Sequence, residues 1–128
     1  DPDLAYARRE IEEAQALIGD LAGDRKLFRP PGGGGIIGPH LLSPAATDVL
    51  RDGGYTCVLW NSVPRDWEDP EGWVDVAMAD VARLDHAVVV LHDLPTGAMD
   101  VLPRFLDALA DQEVDIVQEF PPDVLVPL

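Results

Sequence analysis

Between Asp3 and Leu21 the apolar residues Leu4, Ala7, Ile11, Ala14, Leu17, Ile18 and Leu21 recur three or four apart, and Gly23 follows. This period predicts one amphipathic helix, apolar along its whole length, with a glycine stop. Arg8 and Glu12, like Arg9 and Glu13, fall four apart and are expected on its outer face, worth a few tenths of a kcal/mol per pair at most. A short extended piece, Lys26 to Arg29, ends at Pro30 and Pro31, which cannot donate to a ladder and push their predecessors out of helix. Gly32 to Gly35 open a loop that runs to about Leu42. Ser43 with Pro44 signals a helix start, and Gly53 with Gly54 closes that helix.

Tyr55 to Trp60 reads as the second strand, and Asn61 to Pro70 as an irregular stretch. A third helix is expected from about Glu71 to Leu84, with Trp73, Val74, Ala77, Met78 and Val81 on one face. Ala87 to Leu91, with three consecutive valines, predicts a strand buried on both faces. A last helix near Met99 to Asp111 precedes a fourth strand, Val114 to Val117. Helix and strand thus alternate four times, with strand starts roughly 30 residues apart, the pattern of right-handed βαβ units and a parallel sheet. The expected fold class is α/β, without a residue-level repeat.

The 128 residues fit a single domain, and a 47% hydrophobic fraction is enough for a core without a metal or disulfide staple. Twenty-four acidic against nine basic side chains leave a net charge of -15, which repels phosphate backbones and anionic lipid headgroups; neither a nucleic acid nor a membrane is an expected partner. No apolar run approaches the roughly 20 residues of a spanning helix. Cys57 is the only cysteine and lies in an apolar run, so a buried structural thiol is expected rather than a nucleophile. The chain starts at Asp1 with neither Met nor a secretory apolar segment, the start expected of a processed or cloned fragment.

In parallel α/β folds ligands meet the loops at the carboxyl ends of the strands. Those loops carry Arg29 to Gly32, then Arg65, Asp66 and Trp67, then Leu91, His92 and Asp93. His92 ends the valine-rich strand, where an imidazole serves as general acid or base if a carboxylate such as Asp66 orients it; its structural alternative is a backbone-satisfied capping histidine. Asp93 either caps the next turn or is the weaker candidate for that carboxylate. Arg29 suits a bidentate grip on an anion or a carboxylate, or is a surface arginine before a proline kink. The glycine run lacks the Gly-Lys-Ser/Thr ending of a phosphate loop, and it suits close backbone approach or an amide aimed at an oxyanion. His40 and His86 have no partners at metal spacing and read as structural.

Taken together, Glu10 to Ile18, Leu27-Phe28-Arg29-Pro30-Pro31-Gly32-Gly33, Arg65-Asp66-Trp67 and Val90-Leu91-His92-Asp93 resemble, in order and spacing, the later motifs of the polysaccharide deacetylases, the NodB-homology carbohydrate esterases. The resemblance covers nearly the whole chain. It implies a distorted (β/α) barrel that removes N- or O-acetyl groups from a carbohydrate polymer with a divalent metal, commonly zinc, in a cell-envelope or secreted protein. By the same resemblance Arg29 would steady the catalytic-base carboxylate, His92 would be the general acid, and Asp66 would orient it. Trp67 and Leu91 would shape the acetyl pocket, and the Gly32 backbone would help stabilise the oxyanion.

Two family features are absent: the early Thr-Phe-Asp-Asp-Gly stretch, which brings the base and one metal ligand, and the His-x-x-x-His pair, which brings the other two. Position 32 is Gly where many members have Tyr. The chain is therefore expected to be the carboxyl-terminal part of such a domain, a partial barrel with no metal ligands of its own and inactive in isolation. Its open strand edges would be covered by an amino-terminal segment, a second copy or a partner chain. The alternative expectation is a non-catalytic carbohydrate-binding or interaction module on the same scaffold.

Overall fold

A computed structural model describes residues 1–33 and 36–128, which divide into two compact units, Asp1–Leu59 with Pro122–Leu128, and Trp60–Pro121. No helix among the described residues is long and apolar enough to cross a membrane.

In the first unit α1 spans Pro2–Ile18, with Asp1 as N-cap accepting from the Asp3 N–H, and Pro2 in the first turn, where a missing N–H costs nothing. Its core-facing residues are Leu4, Ala7 and Ile11. The expectation of an apolar stripe along the whole helix is not met: Leu17 is 88% and Leu21 93% exposed, and the chain leaves the α-helix at Ile18 for a 3₁₀ turn over Gly19–Ala22. Length explains this. Helix α2, Pro44–Asp52, is nine residues and roughly 14 Å long, whereas the 17 residues of α1 run to roughly 26 Å, so the last turns of α1 overshoot the partner they pack against. On the outer face Arg8 pairs with Glu12 at 3.2 Å as expected; Arg9 instead reaches Glu10 at 3.7 Å and lies over the Tyr6 ring.

Helix α2 begins where expected, the Ser43 Oγ accepting from the Ala46 N–H, and it ends at Gly53. Gly54 then takes φ +72°, a left-handed value that a residue with a Cβ adopts at a cost, and the Tyr55 N–H turns back to the Leu50 carbonyl. Strands β1 (Leu27–Phe28) and β2 (Thr56–Val58) pair in parallel, in register Leu27–Thr56 and Phe28–Cys57. Lys26 Nζ donates to the Gly53 carbonyl at 3.0 Å and sits over the Tyr55 ring. Against the all-parallel expectation, the third strand of this sheet is β3, Leu125–Pro127, antiparallel to β2. The core comprises Ala7, Ile11, Leu42, Val49, Leu50, Tyr55 and Cys57. Burial pushes the Cys57 thiol pKa up, so this sulfur is protonated packing material, as the sequence suggested.

The second unit packs α3 (Trp73–Arg83) and α4 (Leu102–Asp111) around Trp73, Val74, Ala77, Ala98, Phe105 and Leu109. The Trp73 indole N–H donates to the Ala98 carbonyl at 2.8 Å, and its ring meets Phe105 edge-on. The helix expected near Met99 divides into a 3₁₀ turn, Ala98–Val101, and α4.

Both strands expected in this region need correction. Ala87–Leu91 contributes one parallel bridge, Val89 with Ser62, and apart from the buried Val90 it is half-buried rather than enclosed on both faces. The Asn61 side chain takes ladder positions that a neighbouring strand would fill. Its Nδ2 donates to the His86 carbonyl at 2.9 Å, and its Oδ1 accepts from the Val88 N–H at 2.6 Å. Val114–Val117 forms no strand: Val114 packs on the core while Ile116 is 73% exposed. The architecture is mixed α/β, four helices and a small sheet among the described residues.

Candidate active site

Parallel pairing at Ser62–Val89 aligns two stretches that continue to Asp66 and His92. The Asn61 and Ser62 N–H groups both donate to the Val88 carbonyl, and the Val90 N–H donates to the Ser62 carbonyl. Ser62 is buried and its hydroxyl donates to Asp80 Oδ2 at 2.7 Å, tying the pair to α3. That hydroxyl, before the Arg83 guanidinium, holds the Asp80 carboxyl below its ordinary pKa.

Four residues after Ser62 and three after Val89, the chains meet through side chains. Asp66, 1% exposed, accepts from the His92 backbone N–H with Oδ2 and lies against His92 Nδ1 with Oδ1, both at 2.9 Å. A carboxylate only accepts, so Nδ1 carries the proton and Nε2 is the ring nitrogen left for other chemistry. The imidazole is 34% exposed, open enough to meet a ligand. Trp67, 38% exposed, sets its ring at 85° to the imidazole with centroids 5.1 Å apart. A buried carboxylate, an oriented imidazole and an apolar wall are the parts of a proton-transfer site.

Of the six residues that the sequence singled out, Asp66, Trp67, Leu91 and His92 belong to the second unit. Leu91 is half-buried and packs on the apolar cluster around Trp73. Arg29 and Gly32 belong to the first unit. Arg29 is exposed and has no hydrogen bond or ion pair among the described residues. Gly32 takes φ +109°, a conformation L side chains rarely adopt, and an added Cβ would press on the Leu41 side chain at 3.1 Å. That local demand accounts for Gly at this position. Beside it, Phe28 and Pro31 line a groove of about 570 Å³ with Tyr6, Glu10, Leu41 and Ser43. Gly34 and Gly35 lie outside the described residues.

Asp93 does not cap the next turn: the Thr96 Oγ1 accepts from the Ala98 N–H there, and Asp93 is exposed. Asn61 and the Ser62–Asp80 pair were not anticipated, and their spacing in sequence carries no signal that could have found them. Arg65 and Glu68, three apart beside Trp67, were legible as an ion pair. No group of three His, Cys, Asp or Glu side chains among the described residues is arranged to hold a metal ion, so the donor set does not fit the divalent cation that the family resemblance implies.

No family model and no curated protein matches the chain. Among solved structures, a family 4 carbohydrate esterase from Streptomyces lividans, in complex with acetate, is similar to it with a TM-score of 0.64 and 27% identity. The match covers 96% of this chain and 60% of the esterase, so the chain spans less than two thirds of that relative. The likeness of motifs and the likeness of fold thus point the same way: this chain is similar, over nearly its whole length, to part of a family 4 carbohydrate esterase, the NodB-like polysaccharide deacetylases.

Proposed function

We propose that the chain is part of a carbohydrate deacetylase, built on a partial distorted (β/α) barrel, and that it supplies the general acid for removing acetyl groups from an acetylated carbohydrate polymer. The observation that carries this reading is the Asp66–His92 pair at 2.9 Å with Trp67 edge-on beside it, in a chain similar to a family 4 carbohydrate esterase. Once water has added to the acetyl carbonyl, the bond from carbon to the sugar nitrogen or oxygen breaks. The leaving atom takes a proton from Nε2 of the His92 ring in its doubly protonated form, whose Nδ1–H stays on Asp66, and acetate departs. Asp66 holds Nδ1 and so keeps the ring aimed; Trp67 and Leu91 bound the space for the acetyl methyl. Arg29 would steady the carboxylate that activates the water, and the Gly32 backbone would lie near the oxyanion. In this reading that carboxylate and any metal ligands come from polypeptide outside these 128 residues: an amino-terminal segment, a second copy or a partner chain.

The test is acetate release from acetylated chitooligosaccharide and acetylated xylooligosaccharide by the intact protein and its His92→Gln variant. Loss of a positioned general acid costs about 10²- to 10⁴-fold. Equal rates in the two proteins would overturn the reading. Retention of the oligosaccharide without any release would favour the second reading, a carbohydrate-binding module, which the unmatched metal donor set and the exposed Trp67 support.

A further inference from the structure

Arg65 stands between two buried residues, Pro64 and Asp66, with φ +60°, one of only two non-glycine positive φ values among the described residues. A long side chain in that region carries a conformational cost. The turn it opens is closed tightly: the Glu68 and Asp69 N–H groups both donate to the Arg65 carbonyl, at 3.0 and 3.1 Å. Its guanidinium reaches Glu68 through two bonds, Nε to Oε2 at 2.7 Å and Nη2 to Oε1 at 2.6 Å. The same guanidinium lies over the Trp67 ring, 5.6 Å from its centroid.

Glu68 is held below the ordinary carboxylate range by its hydrogen bonds to Arg65. A solvated ion pair contributes little to stability, so the pair does not explain why the strained backbone is kept. Location does. Trp67, gripped on one side by Arg65 and Glu68, turns its ring edge-on to His92 at 5.1 Å.

We propose that Arg65 is a positioning residue: with Glu68 it fixes the orientation of the Trp67 indole, and through that ring it sets both the apolar wall of the acyl site and the attitude of the His92 imidazole. The pair acts as a splint. An aromatic ring held by two χ angles is otherwise free to swing at an exposed position, and the two-point guanidinium–carboxylate contact removes that freedom. The role in turnover rests on the reading of His92 as general acid; the coupling itself does not.

The experiment is therefore spectroscopic. In the intact protein, the His92 ring proton resonances, shielded or deshielded by the neighbouring indole, are followed in Trp67→Ala, Arg65→Ala, Arg65→Lys and the Arg65→Ala/Trp67→Ala double variant. Trp67→Ala is expected to move them away from the wild-type positions, and Arg65→Ala to move them in the same direction. Arg65→Lys, which keeps the charge and loses the fork, should move them less. The double variant should go no further than Trp67→Ala alone, because both changes act through one ring. Glu68→Gln, which breaks the grip from the other side and leaves the Arg65 backbone untouched, gives the same reading should Arg65→Ala fail to fold.

Resonances unmoved in the Arg65 or Glu68 variants, unmoved in Trp67→Ala, or displaced additively in the double variant, would each overturn the proposal. Failure of the hydrolase reading looks different. His92→Gln would then leave acetate release unchanged while the Arg65 variants still displace the His92 resonances.

Discussion

Replacing Asp66 by Asn exchanges one carboxylate oxygen for an amide NH₂ in a position where both oxygens are used. The carbonyl oxygen of Asn can still accept from the His92 backbone N–H, as Oδ2 does now at 2.9 Å. The NH₂ must then face Nδ1, which Asp66 Oδ1 meets at 2.9 Å, and it can only donate. Nδ1 becomes an acceptor and the ring proton moves to Nε2. For stability, a hydrogen bond to a charged acceptor is worth about 1.5–3 kcal/mol and a neutral one about 0.5–1.5. Two such exchanges would cost roughly 2 kcal/mol. Screening at the one-third exposed ring and the relief of a buried charge offset part of this, leaving about 1 kcal/mol. Asp66→Ala, which strips the half-buried His92 N–H and the ring of their acceptor, should cost about 3 kcal/mol.

The assay is ¹⁵N spectroscopy of the imidazole in its neutral form, alongside urea unfolding of all three proteins. The expected outcome is an inverted tautomer in Asp66→Asn with near-native stability, and a clearly less stable Asp66→Ala. The intact protein carrying Asp66→Asn should lose about 10²- to 10⁴-fold in acetate release, because an amide NH₂ facing Nδ1 cannot accept from the doubly protonated ring that donates at Nε2. An unchanged tautomer, or an Asn variant as unstable as the Ala variant, would refute the account of how Asp66 acts.

Three further outcomes are expected. Ser62→Ala should lose about 1 kcal/mol at neutral pH. The lowered pKa of Asp80 sets the sign of its pH dependence: the stabilisation is whole above the ordinary carboxylate value of 3.8 and fades as pH falls through the lowered one, so the gap between wild type and variant should narrow in acid urea titrations. Trp73→Ala should cost about 3–5 kcal/mol through the cavity it leaves; Trp73→Phe should cost less but still a measurable amount, because the Ala98 carbonyl loses its donor, and thermal melts followed by circular dichroism compare the two. The 128-residue chain supplied with zinc should release no acetate from either oligosaccharide, and metal-dependent release by this chain alone would contradict the placement of the base and ligands elsewhere.

Local signals carried the parts of the fold that the sequence made legible. Ser43 and Pro44 at one end and Gly53 and Gly54 at the other bound α2 because caps and stops act within one turn. His92 stood out as a polar residue ending a valine run, and its pairing with Asp66 follows once those two segments lie parallel. What depends on distant partners was not legible. Val-Asp-Ile-Val at 114–117 alternates like a strand, yet alternation says nothing about whether a neighbour exists to pair with it. β3 is three residues ending in Pro127, too short and too proline-marked to announce itself, and its place beside β2 comes from a pairing across some 70 residues of sequence. The rear half of α1 kept the helical period while losing the surface it needed, because the length of α2 is written elsewhere. Asp80 and Ser62, 18 residues apart, meet only because the bridge brings their segments to α3.

Asn61 lends its side-chain amide to the neighbouring segment as though it were a peptide group, donating to His86 and accepting from Val88. An amide used in this way makes the protein vulnerable to chemical ageing. Spontaneous deamidation at this one position would set a carboxylate oxygen against the His86 carbonyl, two acceptors face to face with no proton between them. Stored material should therefore accumulate a form loosened where these two segments meet, detectable as faster amide exchange at Val88 in step with the mass shift.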